Sequence, residues 1–308
     1  MELGTANRRI FDGVEMMEKD LPELQWFPGH MKRARDIVER NLNRVDVVVE
    51  LLDARIPMSS ANPLIKSIVK DKPRLLALNK SDLADPNQNR AWIEKFRGEN
   101  LRAVEIDSVH GKGMRELIRN IEDLARPATD KFSKAGAKPR SARVMIVGIP
   151  NVGKSSLINR LLGKSRAKTE NRPGVTRDEQ WIKIAKQVDL LDTPGILWAK
   201  FEDPEVGLKL AFTGAIRDDI YDKERVSILL LEFLSKNYPA GLIDRYKLES
   251  IENLSGVEML ELIGRKRGFL IKGGNVDLEK SVRSVLVEFR SGNLGRVTLD
   301  RIEKIEGD

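Results

Sequence analysis

Five short stretches of this chain hold residue types that together suit a nucleoside triphosphate. GIPNVGKS, Gly148 to Ser155, matches G-x-x-x-x-G-K-[ST], a loop whose glycines let backbone N–H groups curl around phosphates. It lies between a strand-like run, ARVMIVG, and a helix-like run, SSLINRLL, so a helix N-terminus adds a field that favours anions. Lys154 is expected to bridge the terminal phosphates and Ser155 to ligate Mg²⁺, with Asn151, Val152, Gly153 and Ser156 completing the cradle. DTPG, Asp192 to Gly195, offers a carboxylate (Asp192) to the metal shell and an amide (Gly195) to the γ-phosphate. Between these motifs, RPGVTRD (172–178) supplies Thr176 to close over Mg²⁺. Thr169 competes for that role, and Thr176 is preferred because it directly precedes a strand run.

NKSD, Asn79 to Asp82, selects the base: the Asp82 carboxylate can accept from the ring N1–H and the 2-amino group of guanine, a pair that adenine lacks. Asn79, Lys80 and Ser81 would tie this loop to the base and to the phosphate loop. DSVHG (107–111) follows the next strand run, and Ser108 with its neighbouring amides is expected at the base carbonyl. DTPG and NKSD are each compatible alone with an ordinary turn, and DSVHG alone is a weak signal; with the phosphate loop, four elements in one cyclic order are hard to assign to accident.

The elements that must position them alternate short apolar runs with amphipathic stretches, the pattern of strands and crossover helices in a parallel sheet. Strands are expected at 45–54, 74–79, 103–107, 142–148, 180–184 and 188–193, and helices at 31–42, 62–70, 87–97, 114–125 and 155–162. RPATDKFSKAGAKPRS (126–141) reads as a linker. Beyond about residue 200 the periodicity becomes helical in five runs punctuated by Gly, Pro and Asn. The expected class is α/β, a mostly parallel six-stranded sheet with helices on both faces, followed by an all-α domain.

The guanine motif precedes the phosphate loop, the reverse of the usual order, and in this the chain resembles the circularly permuted GTPases. Among them, QWFPGHMKRA (25–34), LLDARIP (51–57), NKSD and GIPNVGKSS resemble the ribosome biogenesis GTPase A family, also called RbgA or YlqF. The resemblance is strong over 25–200 and rests on position and length for 201–308; residues 1–24 lie ahead of it as an unassigned extension. It implies a permuted GTPase domain at 25–200 and a helical domain at 201–308 that docks on the large (50S) ribosomal subunit. The implied partners are rRNA and ribosomal proteins, with no DNA or membrane, and the implied activity is slow hydrolysis of GTP to GDP, stimulated by the subunit. Off the ribosome a monomer is expected.

Many GTPases hold a water-orienting glutamine just after DTPG. Here that position is Ile196, which can neither donate nor accept a hydrogen bond. The chain has two histidines, and His110 belongs to the base-contact loop. A lone histidine after Pro-Gly is in itself an ordinary turn residue; the resemblance implies that His30, in WFPGHM, serves hydrolysis. Asn151 is open to two readings, a loop-shaping residue tolerant of left-handed geometry or a ligand for a monovalent cation beside the phosphates. Related permuted GTPases imply the second, with K⁺. Because the sheet is already complete at DTPG, Ile196 to Asp203 leads straight to the helical part, so γ-phosphate contacts are expected to set the position of 204–308. GRKRG (264–268) is the compact basic run of that part, and the resemblance implies rRNA contact at Arg265, Lys266 and Arg267.

Composition bounds the alternatives. The chain is 33% charged and 41% apolar, carries a net charge of +7 and has no cysteine, which excludes disulfides, thiolate zinc sites and cysteine nucleophiles. Residues 1–200 hold 37 Lys and Arg against 27 Asp and Glu, whereas 201–308 hold 17 against 20, so the basic surplus lies in the front part. Such a surplus suits a polyanion partner. No apolar run approaches the ~18 residues of a membrane span, and the N-terminus lacks an export-type h-region, so a cytoplasmic protein is expected. Besides a GTP-hydrolysing assembly factor, two readings remain: a GTP-dependent switch acting on a protein effector without RNA, and a nucleotide-binding scaffold with negligible turnover.

Overall fold

The computed structural model describes residues 8–11, 14–17, 36, 38–69, 72–134, 140–163, 181–191 and 203–302. The chain divides into two compact units, 27–199 with 298–308, and 1–26 with 200–297.

The first unit is built on a six-stranded sheet. Its strands are β3 (Val47–Asp53), β4 (Arg74–Asn79), β5 (Arg102–Glu105), β6 (Ala142–Gly148), β7 (Trp181–Ala185) and β8 (Val188–Leu191), in the order β5-β4-β3-β6-β8-β7. All neighbours are parallel except the β7–β8 hairpin. The unbroken run VVVELLD is buried along its whole length, as a central parallel strand covered on both faces must be. Val48, Ile65, Val69, Met145, Val147 and Leu191 pack into one apolar cluster, and Leu52, Leu76, Leu78, Trp92 and Phe96 into a second; Val48 and Leu52, two pleats apart on β3, place both on the same face of the sheet. Glu50 is the polar exception in β3. Burial pushes its carboxyl above the usual range, opposed by Arg74 at 3.3 Å and by the Asn62 N–H at 3.1 Å.

Helices α1 (Pro63–Val69), α2 (Pro86–Gly98), α3 (Met114–Lys134) and α4 (Lys154–Leu162) connect these strands. Asp85 caps α2 by accepting from Asn87 N, with Pro86 at the first helical position, where no N–H is needed. The linker expected from residue 126 is shorter than that: α3 runs through Pro127 to Lys134. The proline removes the ladder bond to the Asp123 carbonyl, and the residues beyond it resume the helix.

In the second unit, α5 (Pro204–Thr213), α6 (Lys223–Asn237), α7 (Pro239–Tyr246), α8 (Gly256–Lys266) and α9 (Leu278–Arg290) realise the five helical runs. Asp203, Asp222 and Asp277 are side-chain caps, and Ser255 with Glu258 forms a capping box. Arg245 and Arg267 converge on Glu288, and Arg290 donates to the carbonyls of Ala211 and Phe212. A two-stranded antiparallel pair, β1 (Arg8–Phe11) and β2 (Val14–Met17), groups with this unit.

Residues 298–302, assigned on sequence to the helical part, pack instead on the nucleotide-type unit. Leu299 N donates to the Arg55 carbonyl at 2.7 Å, Asp85 N donates to Thr298 Oγ1 at 3.1 Å, and Ile302 joins the apolar face around Trp92. An amphipathic helical pattern stops before this segment, and its partners lie more than 200 residues upstream, so local periodicity carries no signal for it.

Candidate guanine-nucleotide site

In a parallel sheet every strand ends at the same edge, and ligands gather there. Register places Asp53 of β3 opposite Asn79 of β4, and Leu51 of β3 opposite Gly148 of β6. The loops after β4, β5 and β6 therefore open on one side, although β3 separates β4 from β6.

Asn79 closes that gap. Its Nδ2 donates to the Val152 carbonyl at 2.8 Å, and its Oδ1 accepts from Ser108 N at 3.1 Å and Ser108 Oγ at 2.5 Å. One buried amide thus holds the guanine motif, the base-contact loop and the phosphate loop together. Lys80 adopts a left-handed φ of 61° and sends Nζ to the Asn151 carbonyl at 2.8 Å and to Asp53 Oδ2 at 2.9 Å. Arg160, from the far end of α4, donates to the Ser108 carbonyl at 3.1 Å.

The phosphate loop has the geometry its motif demands. Gly153 sits at φ 98°, and a Cβ there would lie 2.3 Å from Asn79 Nδ2; at Gly148 it would lie 2.7 Å from the Leu51 carbonyl. Only glycine admits such backbone approach. Lys154, Ser155 and Ser156 form the first turn of α4, whose N-cap, Gly153, has no side chain to turn inward on the N–H groups. Asn151 does adopt a left-handed φ, 58°, the loop-shaping conformation, with its side chain exposed.

At the base end, the ligand atoms of Asp82, Asp107 and His110 all lie within 4.8 Å of one another. Burial pushes the Asp107 carboxyl up, but hydrogen bonds from the His110 N–H, the His110 ring and the Val109 N–H outweigh it and hold the pKa below the usual value. Ser81 is buried beside them, its N–H donating to the Ile106 carbonyl at 3.1 Å. His30, Thr169, Thr176, Asp192, Gly195 and Ile196 lie outside the described residues.

A family model described as 50S ribosome-binding GTPase matches residues 143–247. It begins in β6 and includes the phosphate loop, while Asn79 to Asp82 lie upstream of it. Ribosome biogenesis GTPase A of Bacillus cereus is 48% identical over 282 residues, covering 91% of this chain and 95% of that protein. The chain belongs to the ribosome biogenesis GTPase A family. A more distant relative, mitochondrial ribosome-associated GTPase 1 of Mus musculus, is 35% identical and covers 90% of each chain. Among solved structures, GDP-bound YlqF matches with a TM-score of 0.61 at 29% identity, over 86% of this chain and 98% of that one. GNP-bound YlqF from T. maritima matches at 0.59 and 30%. This ribosome biogenesis GTPase A member is thus a circularly permuted P-loop GTPase that binds guanine nucleotide and hydrolyses GTP.

Three residues with a place in this geometry carried no assigned role in the sequence: Asp53 and Arg55, inside LLDARIP, and Arg160. An acid at the end of a central strand, followed two residues later by arginine, was a readable signal; Arg160, on a helical face, gave none.

Proposed function

We propose that the protein is a GTP-hydrolysing assembly factor for the large ribosomal subunit, acting in the cytoplasm on rRNA and ribosomal proteins and released when hydrolysis loosens its grip. The observation that carries the nucleotide half of this reading is the pair of side chains, Asn79 and Lys80, that lock the guanine motif onto the phosphate-loop carbonyls of Val152 and Asn151. The ribosomal half is supported by relatives whose names connect them to the ribosome.

In this reading Asp82 accepts from the guanine N1–H and 2-amino group. The Ser108 hydroxyl and N–H both go to Asn79, and the Val109 and His110 N–H groups go to Asp107, so one of these donors would turn to, or be shared with, the base carbonyl when nucleotide binds. The N–H groups from Asn151 to Ser156 cradle the phosphates, with Lys154 neutralising charge at the β and γ positions. Mg²⁺ suits the donor set, which is hard oxygen throughout: the Ser155 hydroxyl, Thr176 and Asp192. When bound, it would neutralise charge developing on the β- and γ-oxygens. Gly195 would give its amide to the γ-phosphate, Asn151 would add K⁺ coordination, and His30 would orient the attacking water, since Ile196 cannot. The helical part, with Arg265 and Lys266 exposed and Arg267 exchanging its pairing with Glu288, would meet rRNA phosphates.

Turnover of GTP with and without large subunits tests the whole. A clear acceleration, absent in His30→Ala at unchanged GTP affinity, is the expected result. No acceleration with the subunit present leaves the effector-switch or scaffold reading in its place. Equal rates in potassium and sodium buffers reject the K⁺ role.

A further inference from the structure

Asp53 and Arg55 take no part in the reading above, yet both are buried charged groups at the site's edge, with 2% and 1% of their surface exposed. Asp53 ends β3, the strand between those that deliver the guanine motif and the phosphate loop. Its Oδ1 accepts from Arg55 Nε at 2.9 Å and Arg55 N at 3.1 Å, and its Oδ2 accepts from Arg55 Nη2 at 2.8 Å. The same Oδ2 lies 2.9 Å from Lys80 Nζ, which reaches on to the Asn151 carbonyl. A guanidinium fork of this kind fixes the plane of a carboxylate, as a lysine ammonium cannot. Arg55 thereby fixes the direction from which Asp53 holds Lys80.

The turn that carries Arg55 is gripped from its other side. Leu299 N donates to the Arg55 carbonyl at 2.7 Å. Ser59, in the same turn, gives its N–H at 2.7 Å and its hydroxyl at 2.8 Å to the Asp300 carboxylate, and Trp92 Nε1 donates to the Asp300 carbonyl at 2.7 Å. Thr298, Leu299 and Asp300 are all buried.

We infer that Asp53 and Arg55 are positioning residues for guanine nucleotide, aiming Lys80 at the phosphate loop, and that Thr298–Ile302 acts as a clamp on the turn that presents them. The inference rests on the reading that Lys80 belongs to the nucleotide site. Thr298 also holds Asp85 N, three residues past Asp82, whereas the Asp300 carboxylate holds the Arg55 turn through Ser59, so a substitution at Asp300 addresses the route through Arg55, Asp53 and Lys80.

The test is the dissociation rate of a fluorescent GDP from the full chain and from Asp300→Ala, Arg55→Lys and the double variant, well below each unfolding temperature. Ile121→Val, a truncation in the buried face of α3 away from this path, serves as the comparison for lost packing. Each single variant is expected to release GDP on the order of fivefold faster, and the double no more than about twofold faster than the worse single, because residues that act in series do not add. Ile121→Val should release GDP at the wild-type rate. Unchanged rates in both single variants, fully multiplicative losses in the double, or an equal acceleration in Ile121→Val would each overturn the inference while leaving the guanine site intact. A wild-type chain that binds no GDP would instead remove the site reading beneath it.

Discussion

Asn79 Nδ2 donates to the Val152 carbonyl at 2.8 Å, and by that contact two motifs separated by 73 residues become one site. Asn79→Asp replaces the donor with a carboxylate facing a carbonyl, while its other oxygen still accepts from Ser108. Losing a buried hydrogen bond and leaving its acceptor unpaired costs about 1–3 kcal/mol. GDP affinity measured by calorimetry should fall roughly tenfold to a hundredfold. Wild-type affinity would show that the two loops hold their places without this amide.

Gly153→Ala should be more severe. The new methyl would meet Asn79 Nδ2 at 2.3 Å, in a backbone conformation of φ 98° that L side chains rarely adopt. Strain of about 1–3 kcal/mol adds to the displacement of Asn79, so nucleotide binding should be lost although the fold survives by circular dichroism. Retained GDP binding would mean that the loop can open elsewhere.

Asp82→Asn should exchange the base. An amide can donate where the carboxylate could only accept, which suits a 2-oxo group in place of the 2-amino group. Weakened GDP binding together with gained xanthosine diphosphate binding, read by competition, is the expected outcome; parallel loss of both would place Asp82 away from the purine edge.

Acid stability should report on Asp46. Burial pushes its carboxyl up, but Arg140, bidentate at 2.7 and 2.8 Å, and the Arg143 N–H at 2.9 Å outweigh it, and its pKa is lowered. A carboxyl depressed in the folded state adds stability that is fully present above its unfolded pKa of about 4 and disappears as pH falls through the folded value. Asp46→Asn should therefore cost about 1–2 kcal/mol at pH 7 and progressively less as pH falls below about 4, by denaturant titration across that range. A cost independent of pH would assign the effect to packing.

The sheet was legible because Val, Ile and Leu runs bounded by motif loops have few other folds open to them. The six strands fall within two or three residues of the expected spans, and the five C-terminal helical runs are helices. The convergence of the motif loops was legible through the NKSD and phosphate-loop motifs, whose residues Asn79 and Val152 meet at 2.8 Å, and the tight loop through its glycines. Two features were not legible. Pro127 and its polar neighbours read locally as a linker, yet α3 continues through them. Thr298–Ile302 has no periodicity at all, and its place is decided by hydrogen bonds to Ser59, Arg55 and Trp92. Long-range pairing outranks local pattern at Thr298–Ile302, as it does at Arg55, which a composition reading counts as surface charge and the fold buries.

The clamp also fixes an order of events during synthesis. The turn after β3 is among the first parts of the nucleotide unit to be translated, whereas Asp300, the acceptor for Ser59, is made only after every helix of the second unit. A nascent chain can pair its strands early, but the Ser59 N–H and hydroxyl wait for their partner until the helical unit has been threaded out. Full tightening of the GTP pocket thereby becomes a sign that translation has run past the helical unit.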